Sequence, residues 1–308
     1  MISTIQTITE KLNDYFSVRN LSNDPQMGMF IPMVYDSIGF DWKNFFEEDF
    51  VFRKNGLMIR GEEAVGNIHL AAFPTPHVLE KFFSSSKPGD LFFSHHAIYT
   101  LNGDPKNDLG KGWQPIDPIL LHSIKEKGLS YYSCHSPMDY HPYVGTRSAM
   151  LQALGAVFLD DFFFDDAGPH GAICTVPPVS INDLREKLLT IFDIPYLDEG
   201  GVLDGERIVT KVAIIAGGAD NSDYQKQAEE NGVEAYICGE FNSNFDTEWA
   251  RGNQILVDEF TSNTSMTMLA VSHAASEFLT MRTQMQYWFS ANFPGVNVKL
   301  IEQEKWWF

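Results

Sequence analysis

Thiols are scarce in this chain: Cys134, Cys174 and Cys238 are the three cysteines among 308 residues. An odd number without repeated spacing excludes a disulfide framework and a zinc-finger pattern. Reduced thiols in a cytoplasm are the expectation. Basic residues are also few. The 22 Lys and Arg stand against 41 Asp and Glu, a formal charge of −19. That balance argues against a nucleic-acid backbone or an anionic membrane as the main partner. It favours solubility and concentrates cations near an acidic site. No apolar run approaches the ~20 residues of a membrane helix. The opening Met1-Ile2-Ser3-Thr4-Ile5-Gln6 lacks the basic and apolar regions of a signal peptide. A cytoplasmic protein is expected.

What the chain does have is a hydrophobic fraction of 44%, enough for a full globular core. Its length suits two domains or one large α/β unit. Ile5, Ile8, Leu12 and Phe16 recur as on one helix face. Met27 to Asn55 is aromatic and acidic without clear period, and reads as loop and short helix. From Glu63 a β-α-β rhythm begins. Strands are predicted over Val65–Ala72, Asp90–Phe93 and Leu129–Cys134. Helices are predicted over Pro76–Phe83, Asp117–Lys127 and Tyr143–Leu154, with Gly155 as a stop.

The second half follows a similar plan. Val209–Ala216, Glu234–Cys238 and Gln254–Asp258 read as strands, and Asp223–Asn231 and His273–Phe289 as helices. Asp160 to Asp166 forms an acidic and aromatic cluster, and Ile181–Phe192 reads as a helix capped by Ser180. The fold class is therefore α/β, with mixed sheets, flanking helices and an internal duplication. Its two lobes are expected at residues 1–158 and 159–308, sharing an interface because no low-complexity linker separates them.

Three phrases carry chemistry. His95 and His96 end the apolar run from Asp90 to Ser94. His135 and Asp139 are four apart, as are His273 and Glu277. Imidazole and carboxylate are the ligand set of zinc, iron or manganese. One ion rarely needs so many protein ligands, so two ions sharing a bridging carboxylate are expected. The metal ligands are read as His95, His96, Asp139, His273 and Glu277. All three phrases fall beyond the carboxyl ends of predicted strands, where α/β folds build their sites.

Plainer accounts exist for each phrase. Adjacent strand residues point to opposite sides, so both rings reach metal only if the strand end turns. Ser136-Pro137-Met138-Asp139 also reads as a helix start, with Ser136 as cap. His273 and Glu277 also fit an exposed i,i+4 helix pair. His135 is a ligand or a group acting on bound water. Glu240, at a strand end equivalent to His96, faces the same cleft or is a surface acid. Gly217-Gly218 cradles an anion or makes a tight turn. His69, His77, His122, His141 and His170 are left as structural or surface residues.

As an ordered set, these phrases resemble the Ngg-interacting-factor-three-like family, also labelled GTP cyclohydrolase I type 2 homologues. Asn55-Gly56-Leu57-Met58-Ile59-Arg60-Gly61 is similar to its Asn-x-Gly-Leu-x-x-Gly region. Ser94-His95-His96 matches its double histidine, and His135-Ser136-Pro137-Met138-Asp139 its His-x-x-x-Asp. Ile214–Gly218 and Ile237–Glu240 resemble its glycine loop and its acidic strand end. Ser272–Glu277 resembles its Gly-His-x-x-x-Glu, with serine where the family usually has glycine. Residues Met27 to Phe52 look unlike the family's usual short segment there. The likeness covers roughly residues 55 to 300, and no single motif is as specific as their order.

The resemblance implies two interlaced α/β lobes with a dimetal site in the cleft between them, and often a ring-shaped homohexamer. The expected function is a metal-dependent hydrolase of a nucleotide or another small molecule, with His135 and Glu240 shuttling protons. The competing expectation is a metal-binding or scaffold protein acting through protein partners.

Overall fold

The computed structural model describes residues 3–307. The chain divides into two compact units, each drawing on separate stretches. The first comprises the described residues of Met1–Thr100, with Trp113–His141 and Met281–Glu304. The second comprises Leu101–Gly112, Pro142–Thr280 and the described residues of Lys305–Phe308. Among the described residues, no helix is long and apolar enough to cross a membrane.

The first unit holds a mixed five-stranded sheet. Its spatial order is Gly56–Ile59, Ser130–Ser133, Leu91–Ser94, Asn67–Ala71, Asn297–Leu300. Only the first strand runs antiparallel to its neighbour. Leu91–Ser94 and Ser130–Ser133 are buried at every position. Such continuous burial is what a parallel sheet covered on both faces requires, and it explains the unbroken apolar and aromatic runs.

The segment from Met27 to Asn55 is more ordered than its sequence suggests. It forms helices Met27–Ser37, Trp42–Phe45 and Glu48–Arg53. The first buries Met27, Ile31, Val34 and Tyr35, a spacing of one helix face. Exposed Met29 and Met33 and the internal Pro32 hide that period in the sequence. These side chains join Phe46, Phe50, Val78, Phe82 and Ile124 in one core.

The second unit holds a mixed six-stranded sheet. Its order is Val157–Phe164, Pro169–Ser180, Ile208–Gly218, Ala235–Glu240, Thr267–Ala270, Asp198–Gly201. The pairings of Ala235–Glu240 with its two neighbours are parallel and the others antiparallel. Alternate residues of Ile208–Gly218 serve opposite faces. Val212 and Ile214 pack with Leu184 and Leu188, whereas Ala213 and Ile215 pack with Val257 and Phe260.

Two expected elements differ here. The predicted strand Gln254–Asp258 lies inside the helix Glu248–Asn263. A short apolar run such as Ile255-Leu256-Val257 does not distinguish strand from helix. Thr247 does, because its side chain accepts a hydrogen bond from the Ala250 amide at 3.1 Å and caps the helix. The predicted helix His273–Phe289 is interrupted: it is α-helical over His273–Thr280, forms a π-turn over Met281–Met285, and resumes over Gln286–Asn292. The predicted cap Ser180 does accept from the Asp183 amide, at 3.1 Å.

Candidate metal centre

In the first unit the parallel ladder delivers three histidines to one sheet edge. Ser94 is in register with Ser133, and the ladder runs on through Cys134 N–H to Ser94 O at 3.2 Å. His95 and His96 follow one strand, and His135 follows the other. Hydroxyls beneath fix the turn: Ser133 Oγ donates to His95 O at 3.0 Å, and Tyr131 OH to His96 O at 2.9 Å. The strand end does turn, because the His95 and His96 rings lie 4.5 Å apart, edge to face. His96 also stacks on Phe73, with centroids 4.1 Å apart.

His95, His96 and His135 each offer a ring nitrogen within 4.8 Å of the others, and all three are buried. Ligand atoms on a four-coordinate zinc lie roughly 3.3 Å apart, so modest side-chain adjustment would seat an ion. His95 Nδ1 lies 2.9 Å from Cys134 O. A carbonyl only accepts, so Nδ1 carries a proton and Nε2 of the neutral ring presents a lone pair. That lone pair faces Asp139 Oδ1 at 3.3 Å. Two electron-rich atoms so close call for a cation between them, a proton or a metal ion.

Asp139 sits in the short helix Ser136–Asp139. The predicted cap is displaced by one residue: His135 is the capping position, and its side chain makes no capping bond. The ring is used elsewhere. His135 Nε2 lies 3.9 Å from Asp139 Oδ2, and Nδ1 lies 3.1 Å from Asp24 Oδ2. Asp24 was not singled out by the sequence. Its signal was a helix start, since Asp24-Pro25 precedes an apolar helix. Its Oδ1 accepts from the Gln26 and Met27 amides at 3.1 and 2.8 Å. Asn55, in the Asn-x-Gly-Leu phrase, donates Nδ2 to Asp24 at 3.0 Å and accepts the His135 amide at 2.7 Å. Burial alone would raise the Asp24 carboxyl, but the His135 ring, Asn55 and the Met27 amide together hold it well below the usual carboxylate range.

The second unit gathers the other candidates. His273 opens the helix His273–Thr280, and Glu277 lies one turn on, so the pair shares a face. His273 Nε2 is 2.9 Å from Glu277 Oε1, and Nδ1 is 3.3 Å from Glu240 Oε2. Glu277 is buried and His273 partly buried, so the pair is not exposed on the helix surface. Asn102 donates to Glu240 Oε2 at 2.7 Å. Burial pushes the Glu240 carboxyl up to about 7, against the opposing pull of His273. Burial disfavours the His273 imidazolium, but the Glu277 and Glu240 carboxylates outweigh it and carry the ring up to about 10. Two carboxylates on one imidazole form a pocket that favours a cation.

The backbone is shaped around this pocket. Gly217 has φ +67, and a Cβ there would lie 2.7 Å from Glu277 Oε1 and 3.1 Å from His273 Nε2. Its amide donates to Ser276 Oγ at 2.9 Å, and the Ala219 amide to Glu240 O at 2.7 Å, so these glycine-loop amides serve the fold. Ser272 has φ +77, the left-handed conformation that favours glycine. Its hydroxyl offsets that strain by donating to Trp306 O and accepting the Ala275 amide.

Residues 47–305 match the family model described as Duf34/NIF3 (NGG1p interacting factor 3). The chain belongs to this family. A relative called GTP cyclohydrolase 1 type 2 homolog, from Archaeoglobus fulgidus, is 26% identical over 191 residues, spanning 60% of this chain and 69% of the relative. The fold also resembles a solved structure described as protein ybgI, of unknown function, with a TM-score of 0.67 and 18% identity, covering 99% of this chain and 100% of that one. TTHA1606 from Thermus thermophilus gives a TM-score of 0.63 at 15% identity, covering 98% of this chain and 99% of that one. The chain shares the mixed α/β fold of these solved structures. It carries His and Glu groups able to bind metal.

Proposed function

We propose that the chain is a dinuclear metal protein and a metal-dependent hydrolase of a nucleotide or another small phosphorylated or amide-bearing molecule. The observation that carries this reading is the convergence of His95 Nε2 and Asp139 Oδ1, 3.3 Å apart, with the other ring nitrogen committed to a backbone carbonyl. The proposed ligands are His95, His96, Asp139, His273 and Glu277. The internal duplication and a homo-oligomeric assembly belong to the same proposal.

The donor set of imidazoles and carboxylates suits zinc, iron or manganese. Two such ions would lower the pKa of a water molecule and stabilise a developing oxyanion. The chain's own residues then move protons. His135 takes or returns one at Nε2. Glu240 does so at a carboxyl that burial holds near neutrality. The name of the Archaeoglobus relative makes GTP the first substrate to try.

The family description favours a second reading, because it names an interacting factor. In that reading the metal site stabilises a scaffold that works through protein partners. Metal-loaded protein assayed against nucleoside triphosphates, phosphoesters and amides separates the two. The expected result is turnover that a chelator abolishes and added metal restores. Fully loaded protein that turns over none of them would contradict the hydrolase and leave the scaffold.

A further inference from the structure

Asp24 lies outside the stretch matched by the family model, which begins at residue 47. It is fully buried, and five donors converge on it. Two are the Gln26 and Met27 amides, at 3.1 and 2.8 Å on Oδ1. Two more are Asn55 Nδ2 at 3.0 Å and the Ser136 amide at 3.1 Å on Oδ2. The fifth is His135 Nδ1, 3.2 Å from Oδ1 and 3.1 Å from Oδ2. We propose that Asp24 is the positioning residue of His135, fixing the ring in the tautomer that carries its proton on Nδ1 and presents the Nε2 lone pair toward Asp139.

The first four donors keep Asp24 from reorienting. Burial alone would raise the carboxyl; the His135 ring first, then Asn55 and the Met27 amide, hold it well below the usual carboxylate range. An ionised carboxylate only accepts, so the ring nitrogen beside it donates. Ser136 Oγ, 3.2 Å from the same Nδ1, can turn its own proton away and accept as well. The far nitrogen is then an acceptor, the form that an imidazole needs to take a proton or to bind metal. The ring has little freedom to swing, because Asn55 Oδ1 holds the His135 amide at 2.7 Å while Asn55 Nδ2 holds Asp24. The N-terminal helical segment thereby acts on the site: its start is anchored by the same carboxylate that sets the histidine's proton.

This inference rests on His135 belonging to the proposed site, but its test reads the ring and not turnover. Nitrogen-15 NMR of histidine-labelled protein, with His135 assigned from the His135→Gln spectrum, reports which ring nitrogen bears the proton. The parent is expected to show His135 protonated at Nδ1. Asp24→Asn replaces an acceptor oxygen by an NH2 donor among five donors, so His135 is expected to move to the Nε2-protonated form. The same inversion follows when an amide replaces the carboxylate of a catalytic triad. A parent protonated at Nε2 alone would overturn the proposal, whatever the fate of the variant. So would a folded Asp24→Asn protein whose His135 keeps its proton on Nδ1. If Asp24→Asn does not fold, the parent spectrum decides. An inactive parent with the expected spectrum would remove the hydrolase reading and leave the positioning role standing.

Discussion

His96→Gln and Glu277→Gln are each expected to weaken metal binding by more than about a hundredfold while leaving the protein folded. Loss of an outer-shell partner already costs ~10–100-fold in affinity, and removal of a ligand atom should exceed that. Glutamine preserves the volume of Glu277, which is buried beside His273. At His96 it fills much of the slot beside Phe73, where alanine would leave a cavity. Competition titration with a chromophoric chelator gives the affinities, and circular dichroism checks the fold. A variant that holds metal as tightly as the parent would strike that residue from the ligand set.

Gly217→Ala is expected to cost about 3 kcal/mol of stability and to weaken metal binding with it. The left-handed backbone at φ +67 contributes ~1–2 kcal/mol of that cost. The remainder, ~1–3 kcal/mol, comes from overpacking, since the new methyl would sit 2.7 Å from Glu277 Oε1. Glu277 cannot retreat cheaply, being buried and held by His273 at 2.9 Å. Urea unfolding measures the loss. A variant within about 0.5 kcal/mol of the parent would show that the helix bearing Glu277 yields easily, contrary to a preorganised pocket.

The sequence made legible what local signals specify. The double histidine, the two i,i+4 pairs and Glu240 were all visible, because strand ends and helix starts have recognisable residue patterns. The structure brings His95, His96, His135 and Asp139 together in one unit, and His273, Glu277 and Glu240 together in the other. The burial of Glu277 beside a partly buried His273 was not legible, since i,i+4 spacing is the same on a wet or a dry face. Asp24 was missed because its partner His135 is 111 residues away, and only the fold joins them. The helix Met27–Ser37 was hidden by apolar residues on both faces. The strand expected at Gln254–Asp258 failed for a related reason, an apolar triplet that fits either period. The π-turn at Met281–Met285 has no signature that separates it from an α-helix of the same composition.

Locating the metal ions tests the proposed dinuclear site most directly. Protein purified without chelators and incubated with zinc, iron or manganese should carry about two ions per chain, the number suited to five candidate ligands. Anomalous diffraction at the metal edge then locates them. The account predicts two peaks, each about 2.0–2.2 Å from nitrogen or oxygen atoms of His95, His96, Asp139, His273 and Glu277. A fully loaded crystal with no peak at those residues would contradict it.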